Sequence, residues 1–417
     1  MNAKNIFAMA AAATIMSAFG GIEVRSDYPG ANVKVLGIDE EKGVVNVMPD
    51  FRDTRGKWFR FDFILTGAAG RKLHFQFPND SYNYLSTLGP AISRDGGRSW
   101  RWLNADGTRH EPANAFDYTF AADENETRFA VSIPYQQSDW EKFTAKWRNR
   151  DDVKFSVLCK SQSGKRDTEL LRIPCRGKAK WLFAFTARHH ASETTGNAVM
   201  EGAIEEVLSG SAEGEWLRDN ADCVFVPFMD KDGVEDGDQG KNRLPHDHNR
   251  DYIEGRYTSV RALKELLVNE SKGKQIVFFD LHAPGVRSTA KSKVHDYVFT
   301  FDSFMPDKCA RMNAFRHNWA EAQKGGALAY DGKRDSLKGA KGRKEYETNK
   351  NKGLMTSRQW VQDLPNCWMS ICGEFGYSRC SGIFSLEAGR ELGRNMLKAG
   401  VKTVQGPEPA NALGKKL

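Results

Sequence analysis

The chain has 417 residues, 40% hydrophobic and 11% aromatic, with 38 glycines against 14 prolines. That length and apolar content predict two compact units with sizeable cores, and they exclude a chain dominated by disorder. The net charge of +7 is mildly basic; it suits an acidic substrate or a negatively charged wall without proving either, and gives no reason to invoke nucleic acid.

In chain order, the first 20 residues read as an export signal. Lys4 is followed by an apolar run from Ile6 to Phe19, and Ala18-Phe19-Gly20 offers small residues for cleavage. The run is too short for a membrane span and no later segment replaces it. The expectation is a secreted or periplasmic protein without stable membrane insertion; the alternative is a buried N-terminal helix. The seven cysteines are scattered without CxxC pairs. They read mainly as small buried residues, with room for one or two disulfides.

Residues 28–152 alternate apolar and polar positions in short runs, as in Val33 to Leu36, Trp58 to Phe63 and Leu73 to Phe77. Period-two alternation rich in aromatics predicts an all-β sandwich domain. Trp100 and Trp102 are either core residues or an exposed glycan-binding surface. Over residues 153–410 the texture changes to buried strands (Lys180 to Thr186, Cys223 to Phe228, Gln275 to Leu281). These alternate with helices (Asn197 to Leu208, Thr258 to Asn269, Leu386 to Ala399). That alternation predicts an α/β catalytic domain, a mixed central sheet flanked by helices, with sites at strand ends. Residues 324–352, rich in Lys, Arg and Gly, read as an exposed loop.

Two strand ends carry metal-ligating types. His190 and Glu193 follow the first strand at i, i+3 spacing, which brings both side chains to one side of a turn. His282 closes another strand. Two His and one Glu leave zinc's fourth position open, as a catalytic site requires. His246 and His248 flank Asp247 and make a second, weaker metal candidate. Asn249-Arg250 offers bidentate donors suited to a terminal carboxylate. Glu374, between Gly373 and Phe375, is placed for burial that raises its pKa towards that of a general base; a capping or salt-bridged Glu is the alternative. Gly202 reads as a close approach of helix to sheet. Asp230-Lys231-Asp232-Gly233-Val234 fails the calcium-loop pattern, because Val234 takes a ligand position.

Together these motifs resemble the M14 zinc carboxypeptidases, and within them the cytosolic-carboxypeptidase-like branch. The resemblance rests on Arg188 to Glu193, Asp230 to Val234, Asp247 to Arg250, His282 and Glu374, with Phe129 to Tyr135 in the preceding domain. It implies zinc held by His190, Glu193 and His282, and Asp247 orienting a metal-bound imidazole. It also implies Asn249 and Arg250 on the C-terminal carboxylate of a peptide or protein substrate. Glu374 would then act as the base towards a zinc-bound water. In one respect the chain departs from the family. An arginine that stabilises the oxyanion is replaced by Gly240, and Lys241 or Arg243 stands in, with Arg243 slightly favoured. That departure keeps open a catalytically impaired peptide- or cell-wall-binding protein on the same fold. Murein-peptide trimming is a substrate variant of the same chemistry.

Overall fold

The structure is a computed structural model that describes residues 21–407 apart from 302, 304 and 336–338. The expected export signal and residues 408–410 lie outside the described residues. No described helix is long and apolar enough to cross a membrane.

Alternation builds residues 21–130. In Lys72–Gln76, Leu73 and Phe75 point inward while the flanking residues face outward. A five-stranded sheet runs in the order Glu23–Arg25, Asp62–Thr66, Glu126–Ala130, Ala91–Ser93, Arg101–Trp102. A four-stranded sheet runs Lys34–Asp39, Val44–Met48, Lys72–Gln76, Ala115–Thr119. Their inward residues share one apolar core: Phe75 stacks on Phe116 at 4.5 Å and meets Phe129 of the other sheet at 5.0 Å. The run 58–61 lies outside the strands, although Phe59 and Phe61 are fully buried in this core. Trp102 is also buried and donates from Nε1 to the Phe384 carbonyl at 2.8 Å, so it is a packing residue that ties the two regions together.

The larger sheet has seven strands, in the order Lys154–Lys160, Asp167–Ile173, Ala221–Val226, Trp181–Ala187, Gln275–His282, Cys367–Phe375, Val298–Thr300. The four from 221–226 to 367–375 are parallel; the outer ones are antiparallel, which makes the sheet mixed. The central strands are apolar throughout because helices cover both faces. Phe183, Phe185 and Phe279 face the helices Thr195–Val207 and Leu386–Gln405, while Leu182, Ala184 and Phe278 face Thr258–Glu270.

Two expectations are corrected here. Gly202 approaches a helix, not the sheet: a Cβ there would lie 1.9 Å from the Arg390 carbonyl oxygen. Part of the Lys-rich segment is helical, Gly339–Asn351, because Tyr346 gives it one buried anchor in the apolar layer under the sheet. No disulfide forms among the described residues, and four of the seven cysteines are buried.

Candidate metal centre and active site

The site forms where the parallel strands end, as open α/β sheets dictate. Strand 181–187 runs into Arg188, a non-glycine residue in the left-handed region at φ 59°. Such a backbone is unfavourable unless its surroundings fix it. The buried Arg188 guanidinium does so: it donates to the carbonyls of Tyr135 (2.7 Å) and Ala191 (3.1 Å) and to Asn197 Oδ1 (3.1 Å). This folds the next turn back on itself, so that the Glu193 N–H reaches the His190 carbonyl at 3.2 Å.

The turn brings His190 and Glu193 to His282 at the end of the neighbouring strand. His190 Nδ1 lies 2.8 Å from Glu193 Oε1, and His282 Nδ1 lies 2.7 Å from Oε2. The donor atoms of the three residues all fall within 4.8 Å of one another, and all three residues are buried. The far nitrogens are held by carboxylates: His190 Nε2 by Asp247 at 3.1 Å, His282 Nε2 by Asp280 at 2.8 Å. Each such carboxylate fixes the imidazole with its Nδ1 free to bind a metal. Burial opposes charge on Glu193, but His190 and His282 outweigh it and hold its carboxyl well below the usual range. An N₂O donor set of converging buried ligands with oriented imidazoles fits zinc.

Asp280 is the anchor that sequence reasoning missed. Thr186 Oγ1 donates to it at 2.8 Å, Ser357 Oγ donates to it, and His189 Nδ1 lies 2.8 Å away. His189, Asp280 and His282 form a second cluster of potential ligands. Asp280 already serves these partners and His282's outer nitrogen, so the first triad is the better metal site. The signal for Asp280 was available in principle: it stands two residues before His282 on one strand, and so faces the same side of the sheet.

Glu374 lies beside His282 in register on the adjacent strand. Its Oε2 is sealed from solvent and has no hydrogen-bond partner among the described residues. Burial raises its carboxyl, to about 7; His282 pulls it down, Glu193 pushes it up and Lys241 pulls it down again. A cavity of about 410 Å³ opens next to it, lined also by Phe299, Phe301, His295 and Arg334.

Other expected residues fall differently. The Asn249 side chain is committed: Nδ2 lies 2.9 Å from His282 Nε2, and Oδ1 accepts from the Ser357 N–H at 2.9 Å. Arg250 is half-buried and, among the described residues, makes no ion pair; its guanidinium donates to its neighbour's carbonyl at 2.8 Å. Asp247 also accepts from the Asn249 N–H at 2.8 Å, so the same carboxylate fixes the start of that turn. Arg243 is turned away from the metal triad. It pairs with Asp230 at 2.9 Å and Asp238 at 2.7 Å, so its charge is neutralised inside its own loop. Lys241 is the basic residue that reaches the triad, its Nζ 3.5 Å from His190 Nε2. His248 stacks on Tyr257 at 3.5 Å, and burial lowers its imidazole to about 4; neither it nor His246 joins the triad.

Residues 148–359, just over half of the chain, match the family model for zinc carboxypeptidases (peptidase M14). Cytosolic carboxypeptidase 2 of Xenopus tropicalis is 31% identical over 146 residues, 32% of this chain and 15% of that protein. Cytosolic carboxypeptidase 6 of Caenorhabditis elegans is 28% identical over 168 residues, 37% of this chain and 36% of that protein. The chain therefore matches only a minor part of these relatives' length. A metallocarboxypeptidase from Burkholderia cenocepacia superposes with a TM-score of 0.73 at 18% identity, covering 92% of this chain and 99% of that one. One from Pseudomonas aeruginosa, in complex with (2-guanidinoethylmercapto)succinic acid, gives 0.70 at 20% identity, covering 92% and 99%. These two share the fold across the β-rich region and the larger sheet alike. On the family match and the fold, the chain belongs to the zinc carboxypeptidase family.

Proposed function

We propose that this chain is a zinc-dependent carboxypeptidase that removes C-terminal residues from peptides, exported by its N-terminal apolar segment. The observation that carries the reading is the convergence of His190, Glu193 and His282 beside half-buried Glu374, whose Oε2 is sealed from solvent and has no hydrogen-bond partner among the described residues. Those three ligands would hold zinc, which when bound acidifies water and polarises a carbonyl. Glu374 takes the proton of the attacking water and returns it to the amine nitrogen that leaves. Its raised pKa suits both halves of that transfer near neutrality. Arg250, half-buried and without an ion pair among the described residues, is the donor for the substrate's terminal carboxylate. That carboxylate would fix the scissile bond one residue from the end. Arg334, from the basic segment, lines the cavity beside Glu374. It favours an acidic side chain on the residue removed.

A mixed peptide library incubated with the zinc-loaded protein and read by mass spectrometry tests this directly. The expected result is a ladder of C-terminal losses, fastest at Glu and Asp, stopped by a chelator and restored by zinc. Zinc-loaded protein that leaves the library intact, or cuts only internally, contradicts the reading.

A further inference from the structure

Amide hydrolysis places negative charge on the carbonyl oxygen, and a fixed cation or donor aimed there is worth a factor of roughly 10²–10³ in turnover. The loop 238–243 determines which side chain can provide it. Gly240 sits at φ +76°, where a Cβ would lie 2.1 Å from the Ala191 nitrogen and 2.9 Å from the His190 carbonyl carbon. No side chain fits at 240, because the loop backbone is pressed against the turn that carries a metal ligand. Asp53 holds it there, accepting from the Gln239 and Gly240 N–H groups at 3.0 and 2.8 Å. Arg243 is neutralised by Asp230 and Asp238. The close approach at Gly240 instead carries the next residue, Lys241, to the triad.

Lys241 makes no ion pair among the described residues, and its charge acts on both Asp247 and Glu374. Its contact with His190 Nε2 cannot persist in the loaded site. Once His190 gives Nδ1 to a metal, Nε2 carries the proton that goes to Asp247 and can accept nothing from an ammonium. Released from that contact, the Lys241 ammonium stands at the edge of the reacting centre, beside Asp247 and on a flexible four-carbon stem that lets it turn towards Glu374.

We propose that Lys241 is the residue that binds the developing oxyanion, an assignment that rests on the carboxypeptidase reading above. In the attack, the water oxygen bonds to the carbonyl carbon, its proton passes to Glu374, and the C=O π pair becomes a lone pair facing Lys241. On collapse that pair re-forms C=O, the C–N bond breaks, and the amine nitrogen takes the proton from Glu374.

The test uses the full zinc-loaded chain with Lys241→Met and Lys241→Arg, measuring zinc content, kcat and KM on a cleaved peptide. It also measures calorimetric affinity for a peptide phosphonate against its carboxylate counterpart. Lys241→Met is expected to keep its zinc and a KM within about threefold. It loses roughly 10²–10³-fold in kcat, with the phosphonate's advantage over the carboxylate falling in parallel; Lys241→Arg recovers at least tenfold of both. Lys241→Met with wild-type kcat, or with an unchanged phosphonate advantage, overturns the assignment. A wild-type protein that turns over no peptide, yet loses phosphonate affinity on Lys241→Met, overturns the carboxypeptidase reading and leaves Lys241 as the anionic-oxygen contact.

Discussion

At the scale of single residues, the site works by setting burial against charge. Burial drives Glu374 up to about 7 while His282 and Lys241 pull it down. The same opposition on His282 ends the other way: burial disfavours its charge, but Asp280 and Glu193 hold its imidazolium well above the usual range. A zinc ion held by the triad would replace that proton as the cation between the carboxylates, so metal and acid would compete for His282. The sign for Glu374 follows from the role proposed for it. A base must be unprotonated, so its raised pKa makes turnover rise with pH through an acid limb. A cation at the triad stabilises the carboxylate further, so the limb falls at or below about 7. A kcat/KM profile from pH 5 to 9 checks this; activity that is flat, or highest at the acid end, contradicts Glu374 as base.

The candidate metal ligands were legible as residue types at strand ends, but His190 and Glu193 at i, i+3 are a weak pair alone and gained weight only from His282, Asn249-Arg250 and Glu374 further along the chain. Asp280 and Lys241 were not, for different reasons. Asp280 reads as one polar position in an apolar strand until its partners Thr186, His189 and Ser357 are seen to converge on it. Lys241 and Arg243 are equally basic in sequence. Only the ion pairs of Arg243 with Asp230 and Asp238, formed across the loop, separate them.

At the scale of elements, the scaffold under the site depends on two helices lying unusually close. Gly202 on 195–207 faces the Arg390 carbonyl, and Gly393 on 386–405 faces the Val199 carbonyl; a Cβ at either would come within 1.9 Å of that oxygen. The first helix begins directly after the HxxE turn, so its seat on the second sets where His190 and Glu193 stand. Gly202→Ala forces the pair apart and is expected to cost about 1–3 kcal/mol, seen as a lower midpoint in thermal unfolding. A variant with wild-type stability contradicts this account of the glycine. The central strands and these helices were readable as apolar strand-like runs alternating with helical stretches. The run 58–61 was misplaced because burial of Phe59 and Phe61 by loop packing imitates the alternation of a strand. The helix 339–351 was missed because charge dominates its composition and a single tyrosine anchors it.

At the scale of the whole molecule, the β-rich region is built into the site. Asp53 holds the loop bearing Lys241, and Arg60 donates to the Ala191 carbonyl at 2.8 Å inside the HxxE turn. Asn32 donates to the Gly237 carbonyl at 2.8 Å. The apolar cores cross the same boundary: Trp102 and Leu88 pack with the larger sheet's helices, and Ala283 and Tyr377 pack into the first region. Composition marked the change of texture near residue 153, but gave no sign that the earlier residues position the chemistry of the later ones.

The central claim is that one metal ion and Glu374 together make a hydrolytic site. It is tested most directly by Glu374→Gln in the full chain, with metal content and peptide turnover measured on the same sample. The account predicts one zinc per chain in both wild type and variant, with turnover of C-terminal residues falling by at least 10² on the loss of the base. A variant that retains its zinc and trims peptides at the wild-type rate would contradict it.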